Sequence, residues 1–241
     1  MLRIEEQKII YHYDAEELWI EGWGKNGLRI RATKNAQMPE EDWALNPLSK
    51  VSVETDRLEN GVRVRNGKAE LFITNGGKIT VYNQKGKLLL EEYWRNRRDV
   101  TDKKCSAIEL EAREFQPNIG GDYHVTMRWE SVDKDEKLYG MGQYQQPYLD
   151  LKGMDLELAH RNSQASVPFL VSSAGYGLLW NNPGVGRAVL GKNIMSFEAY
   201  ASKTLDYWIT VGDTPAEIEE AYAGVAGTVP MMPEYGLGFW Q

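Results

Sequence analysis

Short segments of alternating apolar and polar residues, separated by turn residues, recur about every ten residues along this chain. The first pair, residues 18–20 and 28–31, flanks a Gly-Lys-Asn-Gly turn at 24–27, and Asn-Gly favours the positive φ angles of a tight hairpin. Residues 69–91 repeat the pattern as three segments joined by two turns, which predicts a three-stranded meander. Leu205, Tyr207, Ile209 and Val211 alternate with Asp206, Trp208 and Thr210, the period-2 pattern expected of a strand with one face on a core. The pattern predicts an all-β sandwich in preference to a βαβ fold.

One helix is predicted near the end of the chain. Residues 214–217, Thr-Pro-Ala-Glu, combine a capping box with proline at the first helical position. An apolar stripe follows between residues 218 and 225, and Gly227 ends the helix because glycine adopts the left-handed conformation without steric cost. Residues 38–50 contain two prolines among acidic residues, which predicts a surface loop.

Composition excludes several classes of function. The net charge is −7 and the basic residues form no stripe, so nucleic acid is not an expected partner. No apolar run approaches the roughly 18 residues of a membrane span, so no membrane partner is expected either. Cys105 is the only cysteine and the three histidines are dispersed, which predicts no disulfide, no metal site and no cofactor. The acidic start of the chain lacks the features of a secretory signal, and we therefore expect a cytoplasmic protein.

Glycine, amide and tyrosine residues are concentrated between residues 138 and 164. Amide and guanidinium groups make directed hydrogen bonds to hydroxyl-rich ligands, and tyrosine lies against sugar faces. A long surface loop held together by its own amides explains the same composition. Asp150, Asp155 and Glu157 lie in this region, but nothing in the residues assigns any of them as a glycosidase carboxylate.

Several segments resemble glycoside hydrolase family 31, in the order and spacing of that family. The matching segments are 138–143, 167–173, 175–182, 205–208, 212–215, Tyr222, Gly227 and 236–241. The resemblance extends over roughly residues 60 to 241, and the first fifty residues match only in their strand pattern. It implies a galactose-mutarotase-like β-sandwich with one short C-terminal helix over residues 1–228. Residues 229–241 would then be a linker and the first strand of a missing (β/α)₈ barrel.

The resemblance also implies a function. The family's retaining α-glycosidases carry an aspartate nucleophile and an aspartate acid/base on barrel strands, which would lie beyond Gln241. We therefore expect no catalytic residue in this chain and no hydrolysis by the chain alone. The expected partners are the protein's own C-terminal barrel and an oligosaccharide with a terminal α-xylosyl or α-glucosyl residue.

One loop of the sandwich is expected to reach the bound sugar, commonly through an Arg-Asp pair. Here the matching positions are Arg161 and Asn162, with Gln164 as the next candidate, so these three are the predicted substrate-binding residues. Asn162 can bond a hydroxyl but lacks the charge of a carboxylate, which indicates a different sugar or subsite. The Gly-Met-Gly-Gln sequence at 140–143 and the Gly-Phe-Trp-Gln sequence at 238–241 favour the α-xylosidase-like branch.

Two alternatives remain open from the sequence. One is a freestanding carbohydrate-binding β-sandwich, which would have no use for an apolar strand at 236–241. The other is a mutarotase-like epimerase, which needs a histidine and a carboxylate together in one cleft. The sequence positions of His124 and His160 do not predict such an arrangement.

Overall fold

The computed structural model describes residues 1–97 and 100–239. Within those residues it contains nineteen strands and one α-helix, and the strand pairs are antiparallel. The strands are β1 Leu2–Ile4, β2 Lys8–Tyr13, β3 Glu16–Trp23, β4 Gly27–Thr33, β5 Lys50–Val51, β6 Glu54–Leu58, β7 Gly61–Asn66, β8 Ala69–Thr74, β9 Ile79–Asn83, β10 Leu88–Glu91, β11 Arg113–Pro117, β12 Tyr123–Glu130, β13 Leu138–Gln143, β14 Asp155–Leu158, β15 Ala165–Ser172, β16 Tyr176–Trp180, β17 Gly186–Leu190, β18 Ile194–Ser202 and β19 Leu205–Val211. Helix α1 is Pro215–Ala226.

The strands form three sheets. Sheet A has the order β1-β2-β3-β4-β19-β16-β15-β13, with β5 paired to β3. Sheet B is β10-β9-β8-β7-β6, and sheet C is β11-β12-β18-β17-β14. One apolar core includes side chains from all three sheets. Across it, Trp129 of sheet C meets Tyr207 of sheet A edge-on, with ring centroids 5.5 Å apart, and Trp180 stacks on Phe197. The predicted all-β sandwich is therefore confirmed.

The predicted hairpin and meander are also confirmed. Strands β3 and β4 flank the first turn, but its positive φ angles belong to Gly24 and Asn26 and not to Gly27. Gly27 is required for another reason, since a Cβ there would lie 2.4 Å from the carbonyl oxygen of Trp23. The meander of β8, β9 and β10 is extended by β6 and β7 to a five-stranded sheet.

Strand β19 differs from its prediction, because all seven of its residues are buried on both faces. Tyr207 and its inward neighbours pack in the main core, whereas Trp208 lies in a second cluster with Ile218 and Val225 of α1. Helix α1 covers the part of this outer face around Trp208, and Arg29, Asn181 and the loop residue Asp42 cover the part around Asp206, so this side of the strand is not exposed to solvent.

Helix α1 begins and ends where the sequence predicts. The Thr214 hydroxyl accepts a hydrogen bond from the Glu217 amide at 3.3 Å, and the Glu217 carboxylate accepts one from the Asp213 amide at 2.8 Å. Gly227 has φ 98° and ψ 162°, so its φ is positive as predicted but its backbone is not in the left-handed helical region. Its amide donates to the Ala223 carbonyl at 2.9 Å.

The predicted barrel strand at 236–241 lies partly outside the described residues, since Trp240 and Gln241 are not among them. The described part is not a strand: Glu234–Gly236 is a 3₁₀ turn and residues 237–239 pair with no strand in the described ranges. A strand forms only against a partner, and none is present here. The division into a sandwich at 1–228 and a linker with a barrel strand at 229–241 stays a prediction.

Candidate functional site

A six-residue loop carries the predicted substrate-binding side chains. Residues 159–164, the crossover loop, connect β14 of sheet C to β15 of sheet A. Arg161 and Gln164 exchange two backbone hydrogen bonds of 3.2 and 3.1 Å, which places Asn162 and Ser163 at the tip. Ser163 has a φ of 64°, as the third residue of a tight turn often does.

Arg161 is exposed but its guanidinium is held in place. Its Nε and Nη2 donate to the two carboxylate oxygens of Glu157 at 2.6 and 2.5 Å. The hydrogen bond from Arg161 lowers the pKa of Glu157 below its ordinary value, and the same bond raises the pKa of Arg161. The pair remains ionised at neutral pH, and the remaining guanidinium N–H groups are available for a ligand oxygen.

The other two predicted residues differ in their surroundings. Asn162 is exposed at the tip of the loop. Gln164 is half-buried, and its amide nitrogen donates to the Ala159 carbonyl at 3.1 Å, so this donor closes the loop. The loop thus presents Arg161 and Asn162 outward and uses the Gln164 nitrogen for its own structure.

Two side chains that the sequence analysis did not select support the crossover loop. The Tyr144 hydroxyl donates to the Glu157 carbonyl at 3.0 Å and lies 3.0 Å from the Ser166 hydroxyl, and burial raises its pKa. The His160 ring accepts a hydrogen bond from the Ser166 amide at Nδ1, at 3.3 Å. Tyr144 belongs to the tyrosine- and amide-rich segment at 138–164, and this composition is the sequence feature that could have identified it.

A groove of about 590 Å³ lies beside the crossover loop, at the end of the sandwich where strands of sheets A and C finish. The groove is lined by Trp43, Ala44, Leu158, Ala159, His160, Ser166, Val167, Pro168, Leu179, Trp180, Asn181, Asn182, Pro183, Gly184, Val185 and Tyr222. The lining is mainly apolar, and no carboxylate, lysine or arginine from the described part of the chain belongs to it. The Trp180 indole is 2% exposed and its Nε1 has no hydrogen-bond acceptor among the described residues.

Trp43 at the groove is 58% exposed and has a φ of 53°, unusual for so large a side chain. The backbone on both sides of it is fixed by Asn181, whose Nδ2 donates to the Asp42 carbonyl at 3.1 Å and whose Oδ1 accepts from the Ala44 amide at 3.2 Å. Beneath this loop the buried Arg29 contacts the carboxylate of Asp42 and donates to both carboxylate oxygens of Asp206, at 3.1 and 2.7 Å. No sequence signal identified Trp43, because it lies in the segment interpreted as an ordinary surface loop.

The three carboxylates of this region have structural partners. Asp150 accepts from the Leu138 and Lys152 amides at 3.1 and 3.0 Å, and Asp155 accepts from the Arg187 side chain at 2.8 Å. The pKa of Asp155 lies below its ordinary value because of the hydrogen bond from Arg187. Together with the Glu157–Arg161 pair, these contacts explain all three carboxylates without a catalytic role.

His124 has a carboxylate partner that its position in the sequence did not predict. Its Nε2 lies 3.0 Å from Oε2 of Glu198, and its ring meets Tyr200 edge-on. The pair occupies the outer face of sheet C, since the alternate residues of β12 and β18 point into the core. Neither residue lines the groove. The geometry therefore does not place the pair around a ligand site.

Within the described residues no group of three or more histidine, cysteine or acidic side chains is arranged to hold a metal ion. No helix in the described part of the chain has the length and apolar character to cross a membrane.

The family model for the glycosyl hydrolase 31 N-terminal galactose mutarotase-like domain matches residues 17–186. An uncharacterized family 31 glucosidase, ORF2, of Pseudescherichia vulneris is 46% identical over 241 residues, covering 97% of this chain and 45% of that protein. An alpha-xylosidase of Saccharolobus solfataricus is 33% identical over 128 residues, covering 49% of this chain and 17% of that protein.

A solved structure shows a similar fold over the whole chain. The crystal structure of a GH31 alpha-xylosidase from a soil metagenome, complexed with xylose, superimposes with a TM-score of 0.94 at 46% identity. The match covers 100% of this chain and 36% of that one. The chain thus spans less than half the length of the relatives it matches. From its fold and these matches, the chain belongs to glycoside hydrolase family 31 and forms the galactose-mutarotase-like domain of that family.

Proposed function

We propose that this chain is the amino-terminal domain of a retaining α-glycosidase that hydrolyses terminal α-xylosyl or α-glucosyl residues of oligosaccharides. The observation that carries the proposal is the 46% identity, across nearly the whole chain, to a family 31 glucosidase and to an alpha-xylosidase solved with xylose. The same residues at nearly half of all positions and a common backbone favour a common role for the domain.

The contribution of this chain to the reaction is substrate positioning. Arg161, oriented by Glu157, offers fixed guanidinium donors to sugar hydroxyls, and Asn162 offers a neutral amide beside it. The catalytic aspartates belong to a barrel encoded after Gln241, so the 241-residue chain releases no sugar by itself. Hydroxyl groups bound at the tip of the loop orient the substrate and do not take part in bond cleavage.

The test uses the full-length protein that contains this chain, assayed on aryl α-xyloside and aryl α-glucoside. We expect Arg161→Gln to lower kcat/KM on the preferred substrate by roughly tenfold, because a charge-assisted hydrogen bond is lost. Arg187→Gln is the matched control, since Arg187 is likewise exposed and bonded by two donors to a carboxylate, Asp155, and it should leave kcat/KM unchanged.

Product configuration, followed by NMR immediately after mixing, checks retention of the α-anomer. Four results contradict the proposal: no turnover of either glycoside, release of the inverted anomer, hydrolysis by the 241-residue chain alone, or an equal effect of the two arginine substitutions.

A further inference from the structure

We propose that Tyr144 is a positioning residue: its hydroxyl group fixes the main chain of Glu157, and Glu157 in turn fixes the guanidinium of Arg161. The contact between Arg161 and the substrate rests on the proposed function. The positioning of Arg161 by Tyr144 rests on hydrogen bonds at the base of the crossover loop, and it is measurable without substrate.

The crossover loop has no anchor of its own in the core. None of residues 159–164 is buried. The ion pair between Glu157 and Arg161 also lies at the surface, with the two side chains 43% and 62% exposed. An exposed ion pair contributes little to stability, because water and salt screen it. The bonds from Arg161 to Glu157 therefore hold the guanidinium in one place only if the main chain of Glu157 is itself fixed.

Strand pairing holds Glu157 from one side only. Strand β14 is the last strand of sheet C, and β17 is its one strand partner in the described ranges. The contact to sheet A comes from a side chain, since the Tyr144 hydroxyl donates to the Glu157 carbonyl at 3.0 Å. Tyr144 directly follows β13 of sheet A, and its half-buried ring packs against the main core. The hydroxyl thus ties an edge strand of sheet C to a ring that is anchored in the core.

The same hydroxyl also holds the other end of the crossover loop. A carbonyl oxygen can only accept, so the Tyr144 proton is directed at Glu157. The Ser166 hydroxyl, 3.0 Å from the Tyr144 oxygen, is then the donor of the second hydrogen bond. Glu157 lies just before the loop in β14 and Ser166 just after it in β15. One side chain therefore closes the base of the loop, and its loss releases both ends together.

The consequence for the reaction follows from this geometry. Arg161 contacts the sugar in the proposed function, and Tyr144 acts through Arg161 without contacting the sugar. A donor that moves by about 1 Å orients a substrate poorly, even when the donor itself is unchanged. Removal of the Tyr144 hydroxyl should therefore reproduce part of the effect of removing the Arg161 guanidinium.

The first experiment needs no substrate. In the 241-residue chain, ¹⁵N–¹H NMR follows the exchange with water of the proton on Arg161 Nε, and Arg161→Lys identifies the signal by its disappearance. Tyr144→Phe removes the hydroxyl and keeps the ring. We expect exchange of the Arg161 proton to become faster by about two- to tenfold, as loss of one hydrogen bond of ordinary net strength predicts.

Tyr11→Phe is the matched control. The Tyr11 hydroxyl likewise donates to a main-chain carbonyl, that of Gly76, at 2.9 Å, and Tyr11 lies in β2. Its loss removes a similar hydrogen bond from a part of sheet A that does not carry the crossover loop. Exchange of the Arg161 proton should be the same in Tyr11→Phe as in the parent chain.

The second experiment uses the full-length protein on its preferred aryl α-glycoside. Tyr144→Phe should lower kcat/KM by about three- to fivefold, and Tyr11→Phe should leave it unchanged. Added to Arg161→Gln, Tyr144→Phe should lower kcat/KM by less than about twofold, because the group that it positions is already absent. A merely structural role of Tyr144 would lower kcat/KM by the same factor with and without the Arg161 guanidinium.

Two results would overturn the positioning role. One is equal exchange of the Arg161 proton in Tyr144→Phe and Tyr11→Phe. The other is that the effects of Tyr144→Phe and Arg161→Gln on kcat/KM multiply, which means that Tyr144 does not act through Arg161. Absence of turnover of either glycoside by the full-length protein, together with faster exchange in Tyr144→Phe, rejects the proposed function and supports the positioning of Arg161.

Discussion

Two glycines in β13 have backbone angles that few other residues adopt. Gly140 and Gly142 have φ angles of 99° and 93°, and Met141 between them is buried with a φ of 66°. A Cβ on Gly140 would lie 2.5 Å from the Phe169 carbonyl oxygen, and one on Gly142 would lie 2.2 Å from that of Ala165. The register of β13 against β15 shifts between these glycines. The Gly-Met-Gly sequence is thus explained by a strand irregularity and not by contact with a ligand.

We predict that Gly142→Ala lowers the free energy of unfolding by at least about 1–3 kcal/mol, the usual cost of one strained residue, with the backbone clash in addition. Gly224→Ala is the control with the opposite sign. Gly224 lies within α1, and a Cβ at this position would have no neighbour within 4 Å. The alanine variant should therefore be more stable by up to about 1 kcal/mol, because alanine has the higher helix propensity. Urea unfolding of both variants measures the difference. Equal stability of Gly142→Ala and the parent protein would show that β13 can relax.

At the scale of elements, strand β4 shows what local pattern can and cannot predict. The sequence correctly places a strand at 28–31, but the alternation of Leu28, Arg29 and Ile30 indicates a solvent-facing polar side. In the structure Arg29 is fully buried, because the loop at 38–46 covers that face. Its buried partner, Asp206, is 177 residues away in the sequence. Turn-delimited strands follow from neighbouring residues. A buried charge pair of such separation does not.

The candidate site was also predicted only in the part that neighbouring residues form. Resemblance located the crossover loop through the motifs around Arg161, since loop residues are adjacent in the chain. The groove was missed, because Trp43 and Trp180 come from separate segments that only the folded sheet order brings together. An exposed tryptophan in a proline-containing loop has no local pattern that distinguishes it from other surface residues.

Charged residues link the start of helix α1 to sheet B. Lys68 donates from Nζ to the carboxylates of Asp213 and Glu217, at 2.6 Å in each case, and Lys85 reaches Asp213 at 3.2 Å. Hydrogen bonds from Lys68 and then Lys85 lower the pKa of Asp213 from 3.8 to about 2. The carboxylate is therefore preferentially ionised in the folded state, so this contribution to stability is complete above the unfolded pKa of 3.8.

We predict that the stability difference between the parent protein and Asp213→Asn is lost as the pH falls from 3.8 towards 2. The parent protein should be more stable near neutral pH. The difference should shrink at acidic pH, because Asp213 is then protonated and both proteins carry a neutral group at this position. Denaturant unfolding at several pH values measures it. Added salt should reduce the neutral-pH difference, since Lys85 and Asp213 are both exposed to screening. A stability difference that does not change with pH would contradict a stabilising role for the ionised Asp213 carboxylate.

At the scale of the whole molecule, one arginine joins the three sheets. Arg113 in sheet C donates from Nε to Glu16 of sheet A at 2.6 Å. Its Nη1 contacts the carboxylate of Glu92, which follows the last strand of sheet B, and its Nη2 donates to the Gly77 carbonyl at 3.1 Å. Glu92 is fully buried and also accepts from the Ile79 amide at 2.8 Å. The packing of the sheets therefore depends on a buried ionic contact as well as on apolar burial.

We predict that Arg113→Met lowers the free energy of unfolding by about 3–5 kcal/mol, because it leaves the Glu92 carboxylate buried without a counter-charge. The double variant Arg113→Met/Glu92→Gln should recover part of that loss, since the unpaired charge is then removed. Arg187→Met is the control: its pair with Asp155 is about half exposed on both sides, and its loss should cost less than about 1 kcal/mol. Guanidinium unfolding followed by tryptophan fluorescence and by far-ultraviolet circular dichroism measures all three variants. If Arg113→Met costs no more than Arg187→Met, or if the double variant is no more stable than the single one, the buried charge of Glu92 is not what Arg113 offsets.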